Sequence, residues 1–267
     1  MLRSMYSGIS GMKNFQTKLD VIGNNIANVN TYGFKKGRTV FKDMVSQTMQ
    51  GASGPSSATG KGGINPKQVG LGAQMSAIDT IDTQGSMQTT GRTLDLAISG
   101  DGYFTLKTDG SNPEEYYSRA GNFYLDSSGN IVNSDGLYLN GANGIINIPP
   151  DAKDVTISKD GTVSYTDSSG SLTPADQIQM AKFPNPGGLS KAGNNLFKNT
   201  NNSGDPESGA SGTIGLGSIE SGMLEMSNVD LSEEFTDMIV AQRGFQANTR
   251  IITTSDQILE ELVNLKR

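Results

Sequence analysis

The strongest constraint on this chain is a pair of long apolar stripes at helical spacing, one at each end. In the first thirty residues Leu2, Met5, Tyr6, Ile9, Met12, Gln16, Leu19, Ile22, Ile26 and Val29 recur at steps of mostly three and four. Such spacing places them along one face of a helix in an approximate heptad pattern. Gly8, Gly11 and Gly23 weaken that helix by roughly 1 kcal/mol each relative to Ala, so it needs a partner to persist. Gly33 marks its stop. At the other end, Leu231, Phe235, Met238, Gln242, Phe245, Thr249, Ile252, Asp256, Leu259 and Val263 follow a 4-3-4-3 rhythm, widened by Ile239, Ile251, Ile258, Leu262 and Leu265. Asn228 and Asp230 offer N-caps, and Glu233 completes a capping-box pattern with Asp230. Charge supports pairing of the two ends: residues 1–40 carry six Lys/Arg and one acid, whereas residues 225–267 carry eight acids and four bases. Screening limits exposed pairs to fractions of a kcal/mol, so the apolar stripes weigh more.

Between the ends the period changes from helix to strand. Residues 44–72 are rich in Gly, Ser, Gln and Thr, include Pro55 and Pro66, and read as a linker or as a segment ordered by its neighbours. From Met75 to Ile219 short apolar runs alternate with tight-turn signals. Phe123-Tyr124-Leu125 leads through Asp126–Asn130 into Ile131-Val132, Asp135-Gly136 precedes Leu137–Leu139, and Lys159-Asp160-Gly161 separates Val155–Ile157 from Thr162–Tyr165. Strands joined by Asp-Gly turns make a β-meander or small sandwich. Residues 185–218 read as mostly loop.

Composition narrows the chemistry. Among 267 residues there is no His, Cys or Trp. Disulfides and Cys-based metal sites are therefore excluded, and the usual general base near neutral pH is absent. The hydrophobic fraction is 34% and there are 34 Gly, so the private core is modest and some stability should come from subunit contacts. A net charge of −6 argues against a nucleic-acid footprint, and no apolar run approaches a bilayer span. No apolar h-region or small-residue cleavage site follows Met1, so no secretory signal peptide is read there.

Chemical motifs are weak. Gly54 through Lys61 resembles a phosphate loop, but five residues separate Gly54 from Gly60 and Gly62 stands where Ser/Thr is needed. The pairs Gly70/Gly72, Gly100/Gly102 and Gly215/Gly217 lack the third Gly of a dinucleotide fingerprint. Asp126, Ser128 and Asn130 copy the start of a calcium loop, yet Ile131 and Leu137 replace its Gly and Glu, so a hairpin turn is the better reading. Paired hydrolase carboxylates could be drawn from Asp95, Asp101, Glu114 and Glu115, but adjacent acids normally mark a solvated surface.

Five ordered motifs carry a resemblance. Leu19–Lys35 (LDVIGNNIANVNTYGFK) is similar to the N-terminal signature of bacterial flagellar rod and hook axial proteins. Arg92–Ile98 with Gly100, Gly102, Tyr103 and Phe104, Tyr117–Phe123, Ser227–Leu231, and Met238–Arg243 with Phe245 and Asn248 agree with the same family. The resemblance implies a tube whose terminal helices, from many subunits, pack as concentric coiled coils around a channel with the β domain outside. It also implies export through the flagellar type III apparatus. The C-terminal motifs resemble short Gram-positive hooks, so the expected function is a hook subunit acting as a universal joint. The 44–72 stretch resembles an insertion of distal rod proteins, which makes a rigid distal rod subunit the alternative; a secreted β-domain adhesin is the reading from another class.

The resulting expectation is an α+β chain, not an enzyme, with discontinuous terminal helices flanking an all-β domain. Its parts are 1–36 with 226–267 as the tube core, 37–74 as an extended segment setting stiffness, and 75–225 as the outer domain. The expected assembly interface comprises Leu19, Ile22, Asn24, Asn25, Ile26, Asn28, Gly33 and Phe34 on the N-terminal side. On the C-terminal side it comprises Leu231, Phe235, Met238, Gln242, Arg243, Phe245, Ile252, Leu259 and Val263. Asn24, Asn25 and Asn28 are expected to fix register, as buried Asn does in coiled coils, and Gln242 and Arg243 to make polar contacts across the seam. No cofactor is expected. Implied partners are further copies of the chain, distal rod and hook–filament junction proteins, the hook cap and the export apparatus, with no nucleic acid and no membrane insertion.

Overall fold

A computed structural model of the chain describes residues 2–55, 62–108, 114–213 and 215–265. The fold is α+β, with a helix at each end and strands between. It divides into two compact units, each built from separated stretches of sequence. One comprises Met1–Ile26, Gly37–Asp79 and Asp230–Arg267; the other comprises Ala27–Lys36 and Thr80–Val229.

In the first unit, helix α1 spans Leu2–Ala27 and helix α2 spans Leu231–Asn264. Asp230 caps α2, its side chain accepting from the backbone N–H groups of Ser232 and Glu233, and Glu233 and Glu234 lie in the favourable first turn. Strands β1 (Gly37–Asp43) and β4 (Ala73–Thr80) pair with each other, and between them β2 (Ser46–Gln50) and β3 (Lys67–Gly70) form an antiparallel arm. Residues 44–72 thus contain a strand pair where composition suggested a linker. The reason is local: Thr48 stands opposite Gln68 and Gln47 opposite Val69, while Met44 N–H donates to Gly72 O at 2.9 Å. Polar side chains suit an exposed ladder as well as they suit a loop. The phosphate-loop-like stretch ending at Lys61 falls largely outside the described residues.

In the second unit the strands are antiparallel throughout their recorded pairings. The largest sheet places Tyr103–Lys107 at its centre, between Glu115–Ser118 and Tyr138–Gly141, with Gln179–Lys182 also pairing to it. A three-stranded sheet of Asp154–Ile157, Thr162–Thr166 and Leu172–Gln177 follows in meander order. The Asp-Gly and Ser-Gly hairpins form where their turn residues are: Ile131 pairs with Leu125, Val132 with Tyr138, and Ile157 with Val163. Leu96, Ile98, Phe104, Phe123, Leu139, Ile146, Val163, Ile178 and Ile219 form one buried core. Tyr103, Tyr117, Phe183 and Phe197 form a second, with rings 4.8–5.9 Å apart at edge-to-face angles.

The stretch 185–218 is more regular than its composition suggested. It holds strands Ser190–Gly193, Leu196–Lys198 and Glu207–Ala210. Asn194 and Asn195 form the tip of the first hairpin at φ of 50° and 60°. Asn tolerates that region, so an Asn-Asn pair serves where Asn-Gly is the familiar signal.

Candidate assembly surface and the buried charge cluster

Within the first unit α1 and α2 pack antiparallel. Asn25 faces Glu234, Lys18 faces Asp237, Phe15 faces Gly244, Gly11 faces Asn248, and Gly8 faces Ile252. A Cβ at Gly244 would lie 2.5 Å from the end of the Phe15 ring, so the glycine leaves that ring its place between the helices. Asn25 is a three-way tie. Its amide donates to Gly37 O at 2.9 Å, accepts from Gly37 N–H at 3.0 Å, and donates to the buried Glu234 carboxylate at 3.2 Å. Asn14 Nδ2 donates to Ala73 O at 2.8 Å, and the Phe15 and Phe41 rings lie 6.3 Å apart, so β1 and β4 pack on α1.

The face of α2 turned toward α1 combines two seven-residue ladders. Met238, Phe245, Ile252 and Leu259 are half-buried, and Glu234, Ala241 and Ser255 are buried with Asn248 half-buried. Only the first ladder lies on the apolar stripe read from the sequence. The second is polar or small, which is why hydrophobicity did not reveal it; its signal is the sevenfold spacing itself. Leu231, Phe235, Gln242, Arg243 and Val263 lie exposed, together with Ile239, Val240, Ile251, Ile258, Leu262 and Leu265. Arg243 donates to Gln246 on its own helix at 3.2 Å. On α1, Ile22 and Asn25 are buried, Leu19 and Ile26 half-buried and Asn24 exposed.

The rest of the N-terminal signature is knitted into the second unit. Asn28 is half-buried; Gly33, Phe34 and Lys35 are buried. Gly33 adopts φ +67°, its N–H donates to Glu225 O at 2.8 Å, and a Cβ there would lie 2.5 Å from Ala120 N. The Phe34 ring has the Lys191 ammonium 5.2 Å from its centroid. Asn228 does not cap α2. It accepts from Lys36 N–H at 2.8 Å and donates to Ile81 O at 2.8 Å and Thr83 O at 3.2 Å, stitching three chain segments.

Behind this stitch sits a cluster of ionic side chains. Lys35, Arg119 and Glu225 are each no more than 2% exposed. Lys35 Nζ donates to Glu225 Oε1 and to Thr83 O, both at 2.8 Å, with Asp82 Oδ1 3.8 Å away. Arg119 Nη1 donates to Glu225 Oε2 at 3.3 Å and stacks over the Tyr103 ring at 5.3 Å. Tyr103 donates its hydroxyl proton to Asp82 Oδ2 at 2.6 Å, and Gly85 N–H donates to Glu225 Oε1 at 2.9 Å. Two cations face two carboxylates, so the cluster is neutral overall. Burial, reinforced by the Arg119 charge, lowers the Lys35 pKa against the opposing pull of Glu225 and Asp82. Burial and the neighbouring Asp82 raise that of Tyr103. Lys35, Tyr103 and Arg119 each lie within a sequence motif, but their joint role leaves no local mark, because their partners are scattered between positions 82 and 225. The cluster's carboxylates are held in ion pairs and hydrogen bonds, and among the described residues no group of three or more acids or other metal-binding side chains could hold a metal. No helix among the described residues is long and apolar enough to cross a membrane.

Known proteins resemble this chain along its length. Residues 5–35 match the flagella basal body rod protein family. Residues 97–165 match the D1 domain of flagellar hook protein FlgE/F/G, and residues 220–265 the flagellar basal body rod FlgEFG protein C-terminal family. Flagellar basal-body rod protein FlgG of Bacillus subtilis (strain 168) is 58% identical over 270 aligned positions, covering all of both chains. Flagellar basal-body rod protein FlgG of Borreliella burgdorferi is 40% identical over 275 positions, again covering both completely. Flagellar hook protein FlgE of the same organism is 33% identical, but over an alignment of 446 positions.

Proposed function

The chain belongs to the family of flagellar rod and hook proteins, structural components of the bacterial flagellum, and from this we propose that it is a subunit of the distal rod, the stiff shaft of the basal body. The hook reading drawn from the C-terminal motifs fits the family but not its closer relatives in length and identity. One observation carries the rod reading: rod relatives align with this chain almost position for position over 270–275 residues. The hook relative needs an alignment of 446 positions, so it contains a large region this chain lacks.

The geometry supports a shaft rather than a catalyst. A tube subunit needs one set of contacts that fixes its own shape and another left for neighbours. The α1–α2 face, the Asn25 tie and the Lys35–Glu225 cluster supply the first. The outward apolar residues of α2, from Phe235 to Leu265, supply the second, and exposed apolar surface of that extent marks an interaction site. The residues expected from the sequence then separate by role: Ile22, Asn25, Gly33 and Phe34 shape the subunit, while Leu231, Phe235, Gln242, Arg243 and Val263 face its neighbours. Partners on this reading are further copies of the chain, hook components at the distal end, and the flagellar type III export apparatus. The arm formed by β2 and β3 adds lateral contacts that stiffen the tube.

Electron microscopy of basal bodies from cells lacking the gene tests the assignment. Rods that stop short of full length, with no hook, are expected. Complete rods lacking only the hook would return the assignment to a hook subunit.

A further inference from the structure

The antiparallel register leaves one end of α2 uncovered, and that end matches a groove at the start of α1. Each residue forward along α1 is matched by one backward along α2, from Asn25 opposite Glu234 to Gly8 opposite Ile252. Continued in that register, Leu2 at the first described turn of α1 stands opposite Gln257. Residues 258–264 of α2 therefore extend roughly 10 Å past that turn at 1.5 Å per residue. This overhang is apolar and uncovered: Leu262 is 49% exposed and Leu265, just past the helix, 83%. It also carries Glu260 and Glu261.

At the N-terminal end of the same unit a groove is lined by Arg3, Tyr6, Ile9, Lys13, Met44 and Leu71. Tyr6 is 69% exposed although it is the largest apolar side chain there. Two cations flank an apolar floor, as two anions flank the apolar overhang.

We propose that the α2 overhang of one subunit docks into the α1 groove of a second copy, Ile258, Leu262 and Leu265 against Tyr6, Ile9, Met44 and Leu71, and Glu260 and Glu261 beside Arg3 and Lys13. The inference rests on the rod reading above and specifies one contact between its subunits. Groove and overhang are different surfaces and every subunit offers both halves, so a head-to-tail contact between them is heterologous and repeats from copy to copy as an open, polar array. A ladder of multimers rather than dimers alone in the cross-link below is its signature. Complementary charge favours overhang against groove over overhang against overhang or groove against groove, which would bring like charges together.

The absence of native cysteine makes the contact directly readable. Tyr6→Cys and Leu262→Cys are introduced separately and together into the full chain, and polymerised protein is treated with a short bismaleimide. The double variant should give a ladder of cross-linked multimers. A mixture of the two single variants should give dimers, and neither single variant alone should cross-link. A charge arm accompanies it: Arg3→Glu should raise the critical concentration for assembly about tenfold, and adding Glu260→Lys with Glu261→Lys should restore most of it. Polymers that form normally without the mixed cross-link, or a charge swap that fails to rescue, would overturn this contact while leaving the rod reading intact. Full-length protein that never polymerises would overturn both.

Discussion

At Gly33 a single hydrogen atom decides whether the chain can leave α1. The positive φ and the backbone of Arg119 and Ala120 at 2.5–2.6 Å from a would-be Cβ exclude every other side chain. Gly33→Ala should therefore lower stability by about 2–4 kcal/mol in urea unfolding, combining strain and overpacking. The ionic cluster is equally exacting. Replacing one buried partner leaves the others uncompensated, so Glu225→Gln is expected to cost about 3–5 kcal/mol. The cluster also makes stability depend on alkaline pH in two opposed ways. Tyr103 titrates higher in the fold than its ordinary 10.0 because burial, then Asp82, disfavour the phenolate. Above pH 10 the unfolded chain loses that proton first and stability falls. Lys35 titrates below its ordinary 10.5, so between its lowered value and 10.5 the unfolded chain holds the extra proton and stability rises with pH. Tyr103→Phe should remove up to about 1.4 kcal/mol per pH unit of the alkaline loss, measured as unfolding free energy between pH 9 and 12.

The two helices illustrate how one element serves two surfaces. Inward, α2 presents alternating ladders of large and small or polar residues that fit α1, with Asn25 and Glu234 setting the register. Outward, it keeps an apolar surface that the isolated subunit leaves in water. Mutations on the two faces should separate. Phe235→Ser with Ile239→Ser should change monomer stability by no more than about 0.5 kcal/mol per site, since both are exposed, yet abolish polymerisation in sedimentation assays. Asn25→Leu should do the reverse first, melting the subunit early because Gly37 and Glu234 lose their partner. Should Asn25→Leu leave the melting temperature unchanged, the tie has no structural weight.

For the whole molecule, separated stretches of sequence complete each unit, and this suits a chain that meets its partners late. Neither unit can close until residues beyond 225 have joined those before 40. On the rod reading proposed above, the exposed arm of β2 and β3 is placed to act as a lateral buttress of the shaft. Excising Ser46–Gly70 and rejoining Val45 to Leu71, between Met44 and Gly72 that already share a hydrogen bond, should yield tubes that assemble but bend more under electron microscopy. Straight tubes of unchanged stiffness would remove the arm from the mechanical account.

Terminal helices, the Asp230 cap, the Asp-Gly and Ser-Gly hairpins and the family signature were all legible in the residues, because each depends on neighbours a few positions away. The 3.6-residue period, the Asp230 cap and the turn glycines act locally and leave local marks. Three things were settled by contacts distant in sequence. The inward face of α2 is rotated from its most apolar stripe, since Asn25 and Phe15 select Glu234 and Gly244 as partners across the helix pair. Residues 37–79 join the helical unit rather than bridging two domains, since β1 and β4 pack on α1. Lys35, Asp82, Arg119 and Glu225 become one cluster only when four separate segments meet, and no periodicity links positions so far apart. Local chemistry writes itself into sequence spacing; the choice among distant partners is made by packing.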